Sequence, residues 1–303
     1  MKEFVEELSR RLGLSEDLIE TDLLLHGILF DLSKTEFARY FAFKGGSALI
    51  KHYLGYYRFS VDLDFTFLDQ SVIEGLSQKA VRRLLSEKID VVGDLFEDIS
   101  KARGLDFKCE KSNRRYVELG GGNKFTTFKL WYPSMFGLKT FVKIQINFVE
   151  RILFPIKKVN LKSICPESEE LRFLFPERYI EYSASIPFNV YDVREIICEK
   201  VRAILTRRGF KERDFVDVYL ISRRLKISLE DVKHETYEKT RFILSLYQKY
   251  KRNLSDKISI LNAENLSLGS ESHLLIEEID EKDFYLFLAN FMLQLKKLAE
   301  SFV

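Results

Sequence analysis

Residues 44–67 read KGGSALIKHYLGYYRFSVDLDFTF. Gly45-Gly46-Ser47 forms a turn that opens a short helix, Ala48 to Tyr53, which Gly55 ends. A tight connection with Arg58 and Ser60 follows, then a strand over 61–67 in which Asp62 and Asp64 alternate with Val61, Leu63 and Phe65. Side chains two apart on a strand project to the same face, so both carboxylates aim at one point. Like charges there repel, and burying them without compensation is costly. A divalent cation held by oxygen ligands is the usual partner. The Gly-Gly-Ser turn lies just upstream, at a helix start where main-chain N–H groups can meet a phosphate.

The 303 residues suffice for two modest domains, or for one core with a large helical extension. With 46% hydrophobic and 31% charged residues, the composition is that of a soluble globular protein. No stretch approaches the roughly 18 continuous apolar residues that span a bilayer. The start, MKEFVEELSRRLGL, lacks a secretory apolar core, so a cytoplasmic protein without membrane contact is expected. Three cysteines (Cys109, Cys165, Cys198) and four histidines show no CxxC, HxH or HExxH spacing, which argues against zinc and for reduced, structural thiols. The net charge of +2 leaves only local basic clusters, of which Arg207-Arg208-Lys211-Arg213 stands beside candidate catalytic residues.

Helical spacing covers 3–12 and about 15–40, with Leu18, Leu25, Leu29 and Leu32 in one stripe. It returns over 71–103, where Leu76, Val81, Leu84 and Leu85 are expected in the core. Strands are expected at 105–110, 115–119, 125–131 and 140–148, with Gly120-Gly-Gly-Asn123 as a hairpin turn. The run TFVKIQINF alternates, with Val142, Ile144, Ile146 and Phe148 on one face and Lys143, Gln145 and Asn147 on the other. Residues 150–185 read as a connection with short elements, broken by three prolines. Helices are expected at 191–208, 212–226 and 282–302, with loops near 226–230 and 253–272.

A second stretch carries chemistry: EKVRAILTRRGFKERDFVDVYLI, residues 199–221. A helix–turn–helix here can bring Lys200 and Asp214 to one cleft. Asp214 and Asp217, three apart, share a helix face, which by itself also suits a surface ion-pair ladder.

The order GGSAL, short helix, RFSVDLDF, and then EK-x-x-A with Arg-Asp-x-x-Asp-x-Tyr-Leu resembles the AbiEii/AbiGii-type abortive-infection toxins. These are a branch of the nucleotidyltransferase superfamily with a polymerase-beta-like core. The resemblance covers roughly residues 43–221. It implies an α+β fold: a mixed sheet flanked by helices over 1–185, followed by a helical region, 186–303, that lends Lys200 and Asp214 to the cleft. It implies Mg²⁺ (or Mn²⁺) on Asp62 and Asp64, an NTP held by Gly46, Ser47, Arg58, Ser60 and Lys200, and Asp214 as general base or orienting group. Asp217 is a secondary candidate. In the wider superfamily a third carboxylate comes from a strand like 140–148; here that position holds Gln145 or Asn147, and Glu150 lies past the strand. The implied activity is transfer of a nucleotidyl group to an acceptor hydroxyl, on RNA such as a tRNA 3′ end, by a toxin with a cognate antitoxin. Transfer to a protein or small-molecule hydroxyl, and a non-catalytic NTP- or RNA-binding module, stay open as alternatives.

Overall fold

A computed structural model describes residues 1–262, 266 and 272–302. Chain contacts divide it into two compact units. The first comprises Met1–His52, Phe59–Glu150 and Ile156–Val190; the second comprises Tyr53–Arg58, Arg151–Pro155 and Tyr191–Val303. The division thus falls after Val190 rather than at 185, because residues 186–190 are a strand of the sheet.

The first unit begins with α1 (Lys2–Leu12), α2 (Glu16–Ser33) and α3 (Phe37–Tyr40). β1 (Phe41–Lys44) runs into α4 (Gly45–Ala48), which a π turn over Leu49–Tyr53 extends. β2 (Asp62–Phe67), α5 (Gln78–Arg103), β3 (Val117–Gly120), β4 (Phe125–Pro133), β5 (Lys139–Asn147), β6 (Lys157–Leu161), α6 (Glu169–Leu174), α7 (Pro176–Tyr182) and β7 (Ile186–Val190) follow. The strands form one mixed sheet in the order β3-β4-β5-β2-β1-β7-β6. β2 lies at its centre, antiparallel to β1 and parallel to β5.

Phenylalanine fills the interior of this unit. Phe65 stacks edge-on against Phe37 at 4.9 Å and lies 5.3 Å from Phe43 and 5.8 Å from Phe188. Each such ring, fully buried, contributes on the order of 1.5–3 kcal/mol. Val142, Ile144, Ile146 and Phe148 are buried, and Lys143, Gln145 and Asn147 are half-exposed, as the alternation predicts. Gly121, Gly122 and Asn123 all adopt positive φ and make the expected hairpin turn between β3 and β4.

Several expected elements differ. The helix expected from 71 begins only at Gln78, where the Ser77 hydroxyl accepts from the Ala80 amide; before it lie a 3₁₀ turn at Gln70–Ile73 and an exposed Leu76. The strand expected at 105–110 reduces to a bridge between Asp106 and Trp131, since the Cys109 amide donates to Glu97 of α5 instead of to a neighbouring strand. β1, β6 and β7 are four or five residues long, too short for periodicity to announce them.

The second unit is helical: α8 (Val193–Thr206), α9 (Glu212–Leu220), α10 (Lys233–Leu246), α11 (Gln248–Ile260) and α12 (Glu281–Glu300). The helix expected to reach 226 is α-helical only to Leu220, then turns as a π helix over Ile221–Leu225 and ends on Lys226 at φ +58. α11 occupies much of the loop expected at 253–272; residues 263–265 and 267–271 of that loop lie outside the described residues. Among the described residues no helix is long and apolar enough to cross a membrane.

Each unit encloses paired charges. In the first, Lys51 of the π turn donates to Asp22 at 2.8 Å, and Tyr182 donates to the other Asp22 oxygen at 2.8 Å. In the second, Glu195 accepts from the amides of Leu153 and Phe154 and pairs with Lys239 at 2.5 Å, which also donates to the Arg151 carbonyl. These contacts fasten residues 151–155 to α8 and α10.

His26 of α2 is fully buried. Its Nε2 donates to the Ala184 carbonyl at 3.1 Å, and Nδ1 has no hydrogen-bond partner. Burial, joined by the nearby Lys51 charge, pushes its pKa down to about 3. The unfolded chain therefore takes up this proton near pH 6.5 and the folded one only near pH 3. Stability should fall as pH drops through that window, by up to about 1.4 kcal/mol per pH unit from this residue. Urea unfolding from pH 7 to 4 should show the decline, and His26→Gln should flatten it. An unchanged slope in the variant would reject the assignment.

Candidate functional site

In the first unit, β1 ends at Lys44 and the chain reverses at Gly45, whose φ is +73. A Cβ at Gly45 would stand 2.5 Å from Asp64 Oδ2, so glycine is required both for the backbone angle and for the approach of the carboxylate. Ser47 is buried; its hydroxyl donates to the Asp62 carbonyl at 2.5 Å and lies 2.8 Å from Ser60 Oγ. A hydroxyl has one hydrogen, so Ser60 is the donor in that second contact. The Gly-Gly-Ser turn is in this way tied to the start of β2.

Leu63, Phe65 and Phe67 of β2 face the core, while Asp62 and Asp64 are half-buried on the opposite side. In register beside them on β5 stand Lys143, opposite Asp62, and Gln145, opposite Asp64. Lys143 Nζ is 3.9 Å from Asp62 Oδ1. Glu150 is buried past β5, where Asn147 donates to it at 3.2 Å. Among the described residues no group of three or more His, Cys, Asp or Glu is arranged to hold a metal. The local donor set is therefore two carboxylates and the Gln145 amide oxygen. All are hard oxygen ligands of the kind Mg²⁺ and Mn²⁺ take.

In the second unit, Asp217 of α9 is fully buried and is the hub of the other cluster. Tyr57 donates to its Oδ1 at 2.5 Å, and Arg58 grips both oxygens through Nε and Nη2, each at 2.8 Å. Lys200 of α8 bonds Asp217 Oδ2 and lies 3.2 Å from Asp214 Oδ1. Arg207 Nη1 bonds Asp214 Oδ2 at 2.5 Å. Burial alone would raise the Asp217 pKa, but the Arg58 and Lys200 charges and their hydrogen bonds outweigh it and hold the carboxyl far below the usual range.

Asp62, Asp64, Gly46, Ser47, Ser60 and Gln145 thus lie in the first unit, and Arg58, Lys200, Asp214 and Asp217 in the second. Arg58 serves Asp217, and Ser47 spends its hydroxyl proton on the main chain. The sequence placed Gly45 in the turn and Lys143 on the polar face of β5 without giving either a role at the acids, and Tyr57 was not singled out. Gly45 was legible as half of a Gly-Gly pair and Lys143 as a cation on the polar face of β5; nothing in the sequence marks Tyr57 as a ligand of Asp217. The cysteines form no disulfide, and burial pushes Cys198 and Cys165 up to about 12 and Cys109 to about 11, which leaves none as a thiolate.

A central Asp-x-Asp strand thus lies beside a Gly-Gly-Ser corner in a mixed sheet. The model of the AbiEii family, described as nucleotidyl transferase AbiEii toxin of type IV toxin–antitoxin systems, matches residues 27–302, and the chain belongs to that family. It is a nucleotidyltransferase toxin, and membership implies an NTP substrate and an antitoxin partner. Four solved chains match. One is MenT4, a nucleotidyltransferase toxin from Mycobacterium tuberculosis H37Rv, with a TM-score of 0.58 at 17% identity over 99% of this chain and 93% of that one. This likeness shows the shared fold. No curated protein matches. The non-catalytic alternative gives way to the family assignment.

Two variants test the geometry. Gly45→Ala should destabilise the protein by about 1–3 kcal/mol through strain and the clash with Asp64, and an unchanged melting temperature would contradict the close approach. Asp217→Asn should cost about 3–5 kcal/mol at neutral pH, because it leaves Arg58 and Lys200 buried with too little countercharge. The depressed carboxylate stabilises the fold above its unfolded pKa near 4 and loses that effect as pH falls. Denaturant unfolding of variant and parent should therefore converge in acid.

Proposed function

We propose that the protein transfers a nucleotidyl group from an NTP to a hydroxyl of RNA, a tRNA 3′ end, in the cytoplasm. The observation that supports this best is the pair Asp62 and Asp64, half-exposed on one face of β2 against the Gly45 turn. In the reaction the acceptor hydroxyl attacks the α-phosphorus, a P–O bond forms, and pyrophosphate leaves. Charge spreads over phosphate oxygens, so catalysis consists mainly of placement and electrostatics.

Asp62 and Asp64, with the Gln145 amide oxygen, hold Mg²⁺ or Mn²⁺. When bound, that ion polarises the phosphate oxygens. The main-chain N–H groups of Gly46 and Ser47, at the start of α4, meet the terminal phosphates. Ser60 keeps Ser47 in place. Lys200, bonded by Asp217, which Arg58 grips, is the second unit's candidate cation for NTP phosphates, the role the family resemblance assigns to it. Asp214 orients the acceptor hydroxyl or takes its proton. The basic run from Arg207 to Arg213 supplies cations for an RNA backbone.

Incubation with each α-labelled NTP, total tRNA and Mg²⁺ or Mn²⁺ should place label in tRNA. Asp64→Asn and Lys200→Met should each lower the rate by about 100-fold or more with little change in melting temperature for Asp64→Asn. Label in protein would move the acceptor to a protein hydroxyl, and label in neither, with all four NTPs and both metals, would reject the reading.

A further inference from the structure

Asn253 and Lys257 lie four residues apart on α11 and so share one helix face. Both reach the segment that joins α8 to α9. Asn253 Nδ2 donates to the Thr206 carbonyl at 2.8 Å. Lys257 Nζ donates to the carbonyls of Arg208 at 3.2 Å and Gly209 at 3.1 Å, and stands 4.1 Å from the Phe210 ring centre. Lys257 is fully buried, and among the described residues it forms no ion pair. Burial pushes its pKa down to about 8. A buried cation without a countercharge is costly. Among the described residues, the partners that offset the cost belong to residues 208–210. The Thr206 carbonyl, at the end of α8, also needs a partner from outside the helix.

Thr206 and Arg208 flank Arg207, the residue whose guanidinium holds Asp214 Oδ2 while Lys200 holds Oδ1. Arg207 is itself about half-exposed, so its own side chain packs too little to fix its backbone. We propose that Asn253 and Lys257 are positioning residues: they fix the turn over 206–210 so that Arg207 holds Asp214 in its working orientation. The role of Asp214 rests on the proposed function; the fixing of the turn does not.

Trypsin cuts after Arg207 and Arg208 only where the turn opens. In the full-length folded protein, Lys257→Met should raise cleavage there by about tenfold or more, and Lys257→Arg, which keeps the cation and its donors, should restore protection. Should Lys257→Met fail to fold, Asn253→Ala, which removes a single hydrogen bond, should give the same local cleavage with an unchanged circular dichroism spectrum. In the transfer assay Lys257→Met should lower kcat by about tenfold with the KM for NTP within about twofold. In an Arg207→Ala background the same change should add almost nothing. Unchanged cleavage in a folded variant overturns the proposal, as does a kcat loss that multiplies with that of Arg207→Ala. If the wild-type protein transfers no nucleotide, the proposed function fails by itself and proteolysis alone decides whether the turn is held.

Discussion

A charge taken out of water must be met by opposite charge or by hydrogen bonds, or the fold does not form. That constraint organises the irregular backbone of both units. Lys51 against Asp22 and Tyr182 holds the π turn after α4. Glu195 and Lys239 hold residues 151–155. Asp217 holds Tyr57 and Arg58, and Lys257 holds the turn after α8. Apolar packing builds the helices and the sheet but cannot by itself fix such segments, whose main-chain groups lack regular partners. Four buried ionic or hydrogen-bonding centres do so here. The cost of dehydrating each is offset by the several bonds it makes.

The acids of the two clusters differ in the way this constraint predicts. Asp217 is sealed, gripped by a fork of two guanidinium bonds, a phenol and an ammonium. An acid so engaged has a structural task. Asp62 and Asp64 keep part of their surface in water, and the neighbouring Lys143 stays 3.9 Å from Asp62, outside hydrogen-bonding range. Lysines flank them on both neighbouring strands, Lys143 opposite Asp62 and Lys44 opposite Asp64.

The sequence made the centre of the sheet legible because periods of two are unambiguous where one face is buried. Leu63 and Phe65 alternate with Asp62 and Asp64, and Val142, Ile144 and Ile146 with Lys143 and Gln145. The long amphipathic helices were legible for the equivalent reason. Strands of four or five residues, such as β1 and β7, carry too few periods, and their pairing is set by distant partners. Arg58 illustrates the limit for the site. Its place between the turn and the acidic strand suggests a phosphate ligand, yet it folds with Tyr53–Arg58 into the other unit and meets Asp217, 159 positions away. Separations of that length leave no local trace.

Gln145 of β5 stands opposite Asp64, where it adds no charge. A carboxylate there would bring three negative charges together beside Gly45. With an amide at 145, Asp62 and Asp64 stand between two lysines in register, Lys143 of β5 opposite Asp62 and Lys44 of β1 opposite Asp64. Charge on this face is thus met from both flanking strands without a third carboxylate, just as in the second unit Lys200 and Arg207 meet the charges of Asp217 and Asp214.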